Sequence, residues 1–187
     1  MEAFFVSALA VAIAEIGDKT QLLALLLAAR FRRPVPIILG ILAATLLNHA
    51  LAGLVGAWIR STLSPTTLQW ILGISFLLIA AWTLRPDEIK KDTKERGHYG
   101  VFVVTCIAFF LAEIGDKTQL ATVALAARYP SLIQVVAGTT FGMLIADVPA
   151  VLLGTVASPR FPFKLIRFIA AGIFALLGIA VLTEGFW

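Results

Sequence analysis

Long apolar runs separated by short polar clusters set the pattern of this chain. Six runs, at about residues 4–29, 35–59, 66–84, 100–127, 131–157 and 163–183, lie near the ~20 residues that a helix needs to cross a bilayer core. Between them stand R-F-R-R-P, R-S-T-L-S-P, A-R-Y-P and S-P-R, the basic and proline clusters that end one helix and begin the next. Trp70 and Trp82 sit near the ends of the third run, as interfacial aromatics do. One stretch, R-P-D-E-I-K-K-D-T-K-E-R-G-H-Y at 85–99, is hydrophilic throughout and predicts a solvated linker, which also accounts for His98. The expected fold is all-α: a polytopic membrane protein of six transmembrane helices, with 1–84 and 100–187 as its two parts and 85–99 between them.

Two of the apolar runs carry charge at their centres. The nine residues A-E-I-G-D-K-T-Q-L occur at 14–22 and again, identically, at 112–120, 98 positions further on. Each Glu, Asp or Lys at mid-membrane costs roughly 2.5–3.5 kcal/mol even on the lenient insertion scale, so the repetition of all three points to use. The same offset matches Ala28-Ala29-Arg30 with Ala126-Ala127-Arg128, Gly40 with Gly138 and Gly56 with Gly154, and it sets Asn48-His49 against Ala146-Asp147. Each half then holds three spans. Three is odd, so the second half enters the membrane from the opposite side, the inverted-repeat arrangement of many secondary transporters.

Composition agrees with a membrane protein: 60% hydrophobic residues, 14% charged, mean hydropathy +0.96. The net charge of +4 and pI near 9.6 do not indicate nucleic acid, because the basic residues flank apolar spans and form no single basic helix. Nine of the 15 lysines and arginines fall in the loops after spans one, three and five and two more (Lys164, Arg167) in the first turns of span six, against two (Arg60, Arg128) in the loops after spans two and four. The positive-inside rule therefore places the linker in the cytoplasm and both termini outside the plasma (inner) membrane. The N-terminus lacks a basic leader and a small-residue cleavage site, so the first run is expected to stay as a helix. Cys106, the only cysteine, reads as a small buried hydrophobe.

Glu15 lies about eleven residues into its span, roughly 16 Å deep at 1.5 Å per residue, and Glu113 lies about as deep from the other side. In a regular helix Glu15 and Asp18 share a face with Lys19 beside them, while Gly17 offers a place for the backbone to deform. Glu15, Asp18, Glu113 and Asp116, with the amide oxygens of Gln21 and Gln119, form an all-oxygen set suited to hard divalent cations such as Ca²⁺ and Mn²⁺. Four carboxylates and two lysines leave a formal charge of −2, which one divalent cation or two protons neutralise. The bland alternative is a network that pairs only with itself and specifies the fold. Lys19 and Lys117 read as charge partners, since an ammonium cannot coordinate a metal. Thr20 and Thr118 either support the site or bond back to a helix carbonyl. Asp147, costly at mid-span and followed by Pro149, reads as a proton-coupling group. Asn48 and His49 serve either transport or an interhelical polar contact.

A twofold E-x-G-D-[KR]-[TS] signature in a six-span chain resembles the Gdt-type exporters, the second Ca²⁺/cation antiporter family. Both copies fit without departure, and the short chain is similar to the bacterial manganese-exporter branch. The resemblance implies export of Mn²⁺ or Ca²⁺ from the cytoplasm against protons, with Glu15, Asp18, Glu113 and Asp116 foremost and no cofactor beyond the transported ion. An exporter of small organic solutes such as amino acids is the alternative, although its site calls for an available cation as well as an anion. An intramembrane phosphatase calls for arginines beside a surface nucleophile; here the arginines lie in loops or at span ends, so no enzyme is expected. The orientation has a direct check. A topology reporter fused after Trp187 is expected to be active only outside, and one inserted near Lys91 only in the cytoplasm.

Overall fold

The computed structural model describes residues 1–84, 100–154 and 163–184. The expected linker at 85–99 lies outside these residues, as does the loop containing Arg160. Among the described residues all regular structure is helical, in the order α1 (Glu2–Glu15), α2 (Lys19–Phe31), α3 (Pro34–Thr62), α4 (Pro65–Thr83), α5 (Val101–Glu113), α6 (Lys117–Arg128), α7 (Leu132–Gly154) and α8 (Phe163–Glu184). Three of them, α3, α4 and α7, are each long and apolar enough to cross a membrane alone. Large side chains such as Leu46, Leu54, Trp58, Trp70 and Leu78 are exposed on the outer surface, as suits a lipid-facing wall. The protein is an all-helical polytopic membrane protein.

The first and fourth apolar runs differ from the regular helices expected there, because each breaks inside the motif. Ile16 is extended (φ −63°, ψ 116°) and Gly17 is left-handed at φ 86°. Ile114 (φ −61°, ψ 120°) and Gly115 (φ 73°) repeat the geometry. Glycine takes the left-handed step without a Cβ penalty, and Asp18 and Asp116 then occupy the N-cap positions of α2 and α6. Glu15 and Asp18 thus stand at the end of one helix and the start of the next, and do not share a helical face. The Asp18 N–H still reaches the Glu15 carbonyl at 3.0 Å, and that of Asp116 the Glu113 carbonyl at 3.1 Å, so each break is one tight turn. Non-helical backbone at membrane depth persists only where protein or water satisfies it.

Continuous helices back the broken ones. A Cβ on Gly138 of α7 would meet the Phe4 carbonyl and Ser7 of α1, and one on Gly154 would meet the Leu25 carbonyl and Ala28 of α2. The other half repeats these contacts at the 98-residue offset: Gly40 of α3 abuts Phe102 and Thr105 of α5, and Gly56 abuts Val123 and Ala126 of α6. So α7 runs parallel to α1 and then α2, while α3 runs parallel to α5 and then α6. In contrast, α4 and α8 run antiparallel, Gln69 bonding the Leu182 carbonyl at 3.1 Å and Gly178 packing on Gly73. The equivalent rings Phe76 and Phe174 stack there at 6.4 Å. Every broken helix therefore rests on a helix from the other half of the chain.

These close approaches predict how substitutions behave. Gly56→Leu and Gly154→Leu force side chains into backbone and should each cost about 1–3 kcal/mol. Gly100→Ala, with nothing within 4 Å of the new Cβ, should leave stability unchanged. Thermal midpoints in detergent provide the measurement.

Candidate metal centre

The two breaks face each other. One carboxylate oxygen from each of Glu15, Glu113 and Asp116 lies within 4.8 Å of the others, and all three residues are buried. Ion pairs cross between the motifs: Lys117 Nζ is 2.9 Å from Asp18 Oδ2, and Lys19 Nζ is 3.3 Å from Asp116 Oδ1. Each lysine thus neutralises the aspartate of the other copy, which no reading of a single helix provides.

The rest of each motif shapes the turn. Gln21 Oε1 accepts the Gly17 N–H at 2.8 Å and Gln119 Oε1 accepts the Gly115 N–H at 2.7 Å. The two glutamines, expected to bind metal, have their amide oxygens engaged in bracing the breaks. Gln21 also donates to the Ala146 carbonyl of α7 at 3.1 Å, tying the first break to the turn that carries Asp147. Thr118 Oγ1 donates to Glu113 Oε2 at 2.9 Å, whereas Thr20 Oγ1 has no hydrogen-bond partner among the described residues. Neither threonine bonds back to a helix carbonyl among the described residues, one of the two readings the sequence left open.

Residues beyond the motifs divide into two kinds. Asn48 Nδ2 donates to the Phe110 carbonyl of α5 at 3.1 Å, an interhelical contact one turn before Glu113. His49 is fully buried on α3 with neither ring nitrogen hydrogen-bonded among the described residues. Asp147, buried on α7, is a like-charge neighbour of Glu15 and Glu113. Glu15, Asp147 and Glu113 Oε1 also lack hydrogen bonds there. Buried carboxylate oxygens left in that state are costly and suit a site that takes a cation or protons. Sequence reading missed the buried hydroxyls of Ser7, Thr45 and Thr140. Thr45 lies one turn before His49 and shared its signal, a polar group within an apolar span. Cys106 is half-buried against an apolar cluster that includes Phe109 and Ile41.

Fold and centre together define a membrane protein with a buried ionic cluster of oxygen donors. The sequence profile of the divalent cation/proton antiporter GDT1 matches residues 3–91 and 101–187. A Vibrio cholerae protein named "Putative manganese exporter" is 50% identical over 181 residues, covering 96% of this chain and 90% of its own. The GDT1-like protein sll0615 of Synechocystis is 28% identical over 96% of each chain, and GDT1-like protein 3 of indica rice is 28% identical over 96% of this chain and 72% of its own. No solved structure matches significantly. The chain belongs to the GDT1 family of divalent cation/proton antiporters, as its doubled motif implied.

The ion pairs differ in setting, which gives a stability prediction. Lys117 is 2% exposed and Lys19 28%. Lys117→Ala strands Asp18 in the interior and should cost about 3–5 kcal/mol. Lys19→Ala removes a partly exposed ammonium and should cost less than Lys117→Ala, but more than a surface pair, because Asp116 is itself only 1% exposed. Joint replacement Asp18→Asn with Lys117→Gln should recover most of the larger loss in thermal unfolding.

Proposed function

We propose that this protein exports divalent cations, Mn²⁺ foremost and Ca²⁺ as a second cargo, from the cytoplasm in exchange for protons. The observation that carries this reading is the convergence of Glu15, Glu113 and Asp116, drawn from both motifs, on one buried point. Hard oxygen donors suit Mn²⁺ and Ca²⁺. The net charge of −2 on the motif carboxylates and lysines suits one divalent ion or two protons. Cation and protons compete for the same oxygens, so binding of one drives release of the other. Asp147, beside both glutamates, is the group we assign to relaying the exchanged protons.

We read α1–α2 and α5–α6 as one crossing each, giving six spans in two inverted three-span repeats. The parallel packing of α7 on α1–α2 and of α3 on α5–α6, with α4 antiparallel to α8, is what this alternation requires. With the basic loops inside, both termini lie outside the inner membrane. Family membership and the name of the Vibrio cholerae relative support export of a divalent cation, manganese in particular. An amino-acid cargo lacks support in the centre, since both lysines are held by aspartates.

In proteoliposomes, a lumen more acidic than the bath should drive ⁵⁴Mn²⁺ uptake, a protonophore should stop it, and ⁴⁵Ca²⁺ should compete. Flux indifferent to the pH gradient would leave a uniporter. Because the two motifs share one site, Glu15→Gln and Glu113→Gln should each abolish flux and the double variant should be no worse. Residual activity near half in each single variant would indicate two independent sites.

A further inference from the structure

The two motifs are chemically identical over nine residues, yet their aspartates are engaged differently. Asp18 is fully occupied: one oxygen accepts the Lys19 N–H at 2.7 Å and the other holds the buried Lys117 at 2.9 Å. Asp116 makes no side-chain cap bond to its own helix, and its lysine is farther away, at 3.3 Å, and partly exposed. Among the described residues, Asp116 joins the two glutamates in the oxygen cluster and Asp18 stands outside it. The turns differ in the same sense, since Gly17 is buried and Gly115 exposed. Thr118 holds its glutamate while Thr20 does not.

Identical sequences in unequal settings leave a second arrangement, made by exchanging the roles of the two halves, with the same local chemistry. Two packings of that kind differ by little in energy and can interconvert. We infer that the aspartates serve the ion in alternation. Asp116 completes the set with Glu15 and Glu113 while the centre opens to one face of the membrane, and Asp18 replaces it while the centre opens to the other. Lys117 covers Asp18 in the first arrangement and Lys19 covers Asp116 in the second, so each ammonium stands in for the ion at whichever aspartate is idle. An arriving ion displaces only the looser, better-hydrated lysine; the buried pair stays closed behind it. The glutamates hold the ion throughout. This rests on the reading of the motifs as the cation site.

The test is sided. Half-saturating Mn²⁺ is measured in everted and in right-side-out vesicles bearing Asp18→Asn or Asp116→Asn. Each variant should raise it at least tenfold at one face and less than threefold at the other, and the two variants should affect opposite faces. Equal increases at both faces would overturn the proposal. Where a variant no longer transports, Mn²⁺ binding is read from loss of the free-ion electron paramagnetic resonance signal. Each single variant should keep a site that the double variant loses, and a single variant as weak as the double would again overturn it. Should stranded lysines prevent folding, Asp18→Asn/Lys117→Gln and Asp116→Asn/Lys19→Gln remove each pair whole and carry the same expectations. Glu15→Gln and Glu113→Gln are the control. If they still bind Mn²⁺ normally, the cation-site reading fails; if they do not and the aspartates behave alike, only the alternation fails.

Discussion

A charge taken out of water must meet its opposite, and among the described residues two buried aspartates meet theirs across the two halves of the chain. Lys117 reaches Asp18 and Lys19 reaches Asp116, although within a single copy each lysine immediately follows its own aspartate in sequence. In a low-dielectric interior an unpaired ammonium or carboxylate is far more costly than a surface one. That penalty holds the breaks against each other and sets the register of the halves. The helices comply by exchange: α7 lines the broken helix of the first half and α3 that of the second, through glycines at equivalent positions.

The breaks follow from the same constraint. An unbroken helix would spend its mid-membrane N–H and C=O groups on itself and hold Glu15 and Asp18 in a single row. Ending α1 at Glu15 and restarting at Lys19 brings a helix C-terminus and a helix N-terminus to the carboxylates. The glutamines close each turn by taking the glycine N–H. Both oxygens of Glu15 and Asp147 and Oε1 of Glu113 are among the buried polar atoms left without a hydrogen bond, and a carrier must leave such groups available to its ion.

Much of this was legible in the sequence. The apolar runs gave the helical class, the doubled motif marked the centre, and the 98-residue offset anticipated which glycines would play equivalent parts. Glu15, Glu113 and Asp116 were named as ligands and do converge. The crossed pairing was not legible, because periodicity describes one helix and says nothing of which copy a lysine will reach. Nor was the state of the glutamines, since an amide oxygen that braces a turn and one that binds metal look alike in a motif. The unequal engagement of Asp18 and Asp116 was beyond any sequence reading: identical residues carry no information about which copy is occupied in a given conformation.

Counting bound ions shows whether the two copies of the motif build a single cation site. Equilibrium dialysis of the purified full-length chain against ⁵⁴Mn²⁺ should saturate at one ion per chain, with Glu15→Gln and Glu113→Gln each abolishing that ion. Saturation at two ions per chain, with each substitution removing one and sparing the other, would contradict the account.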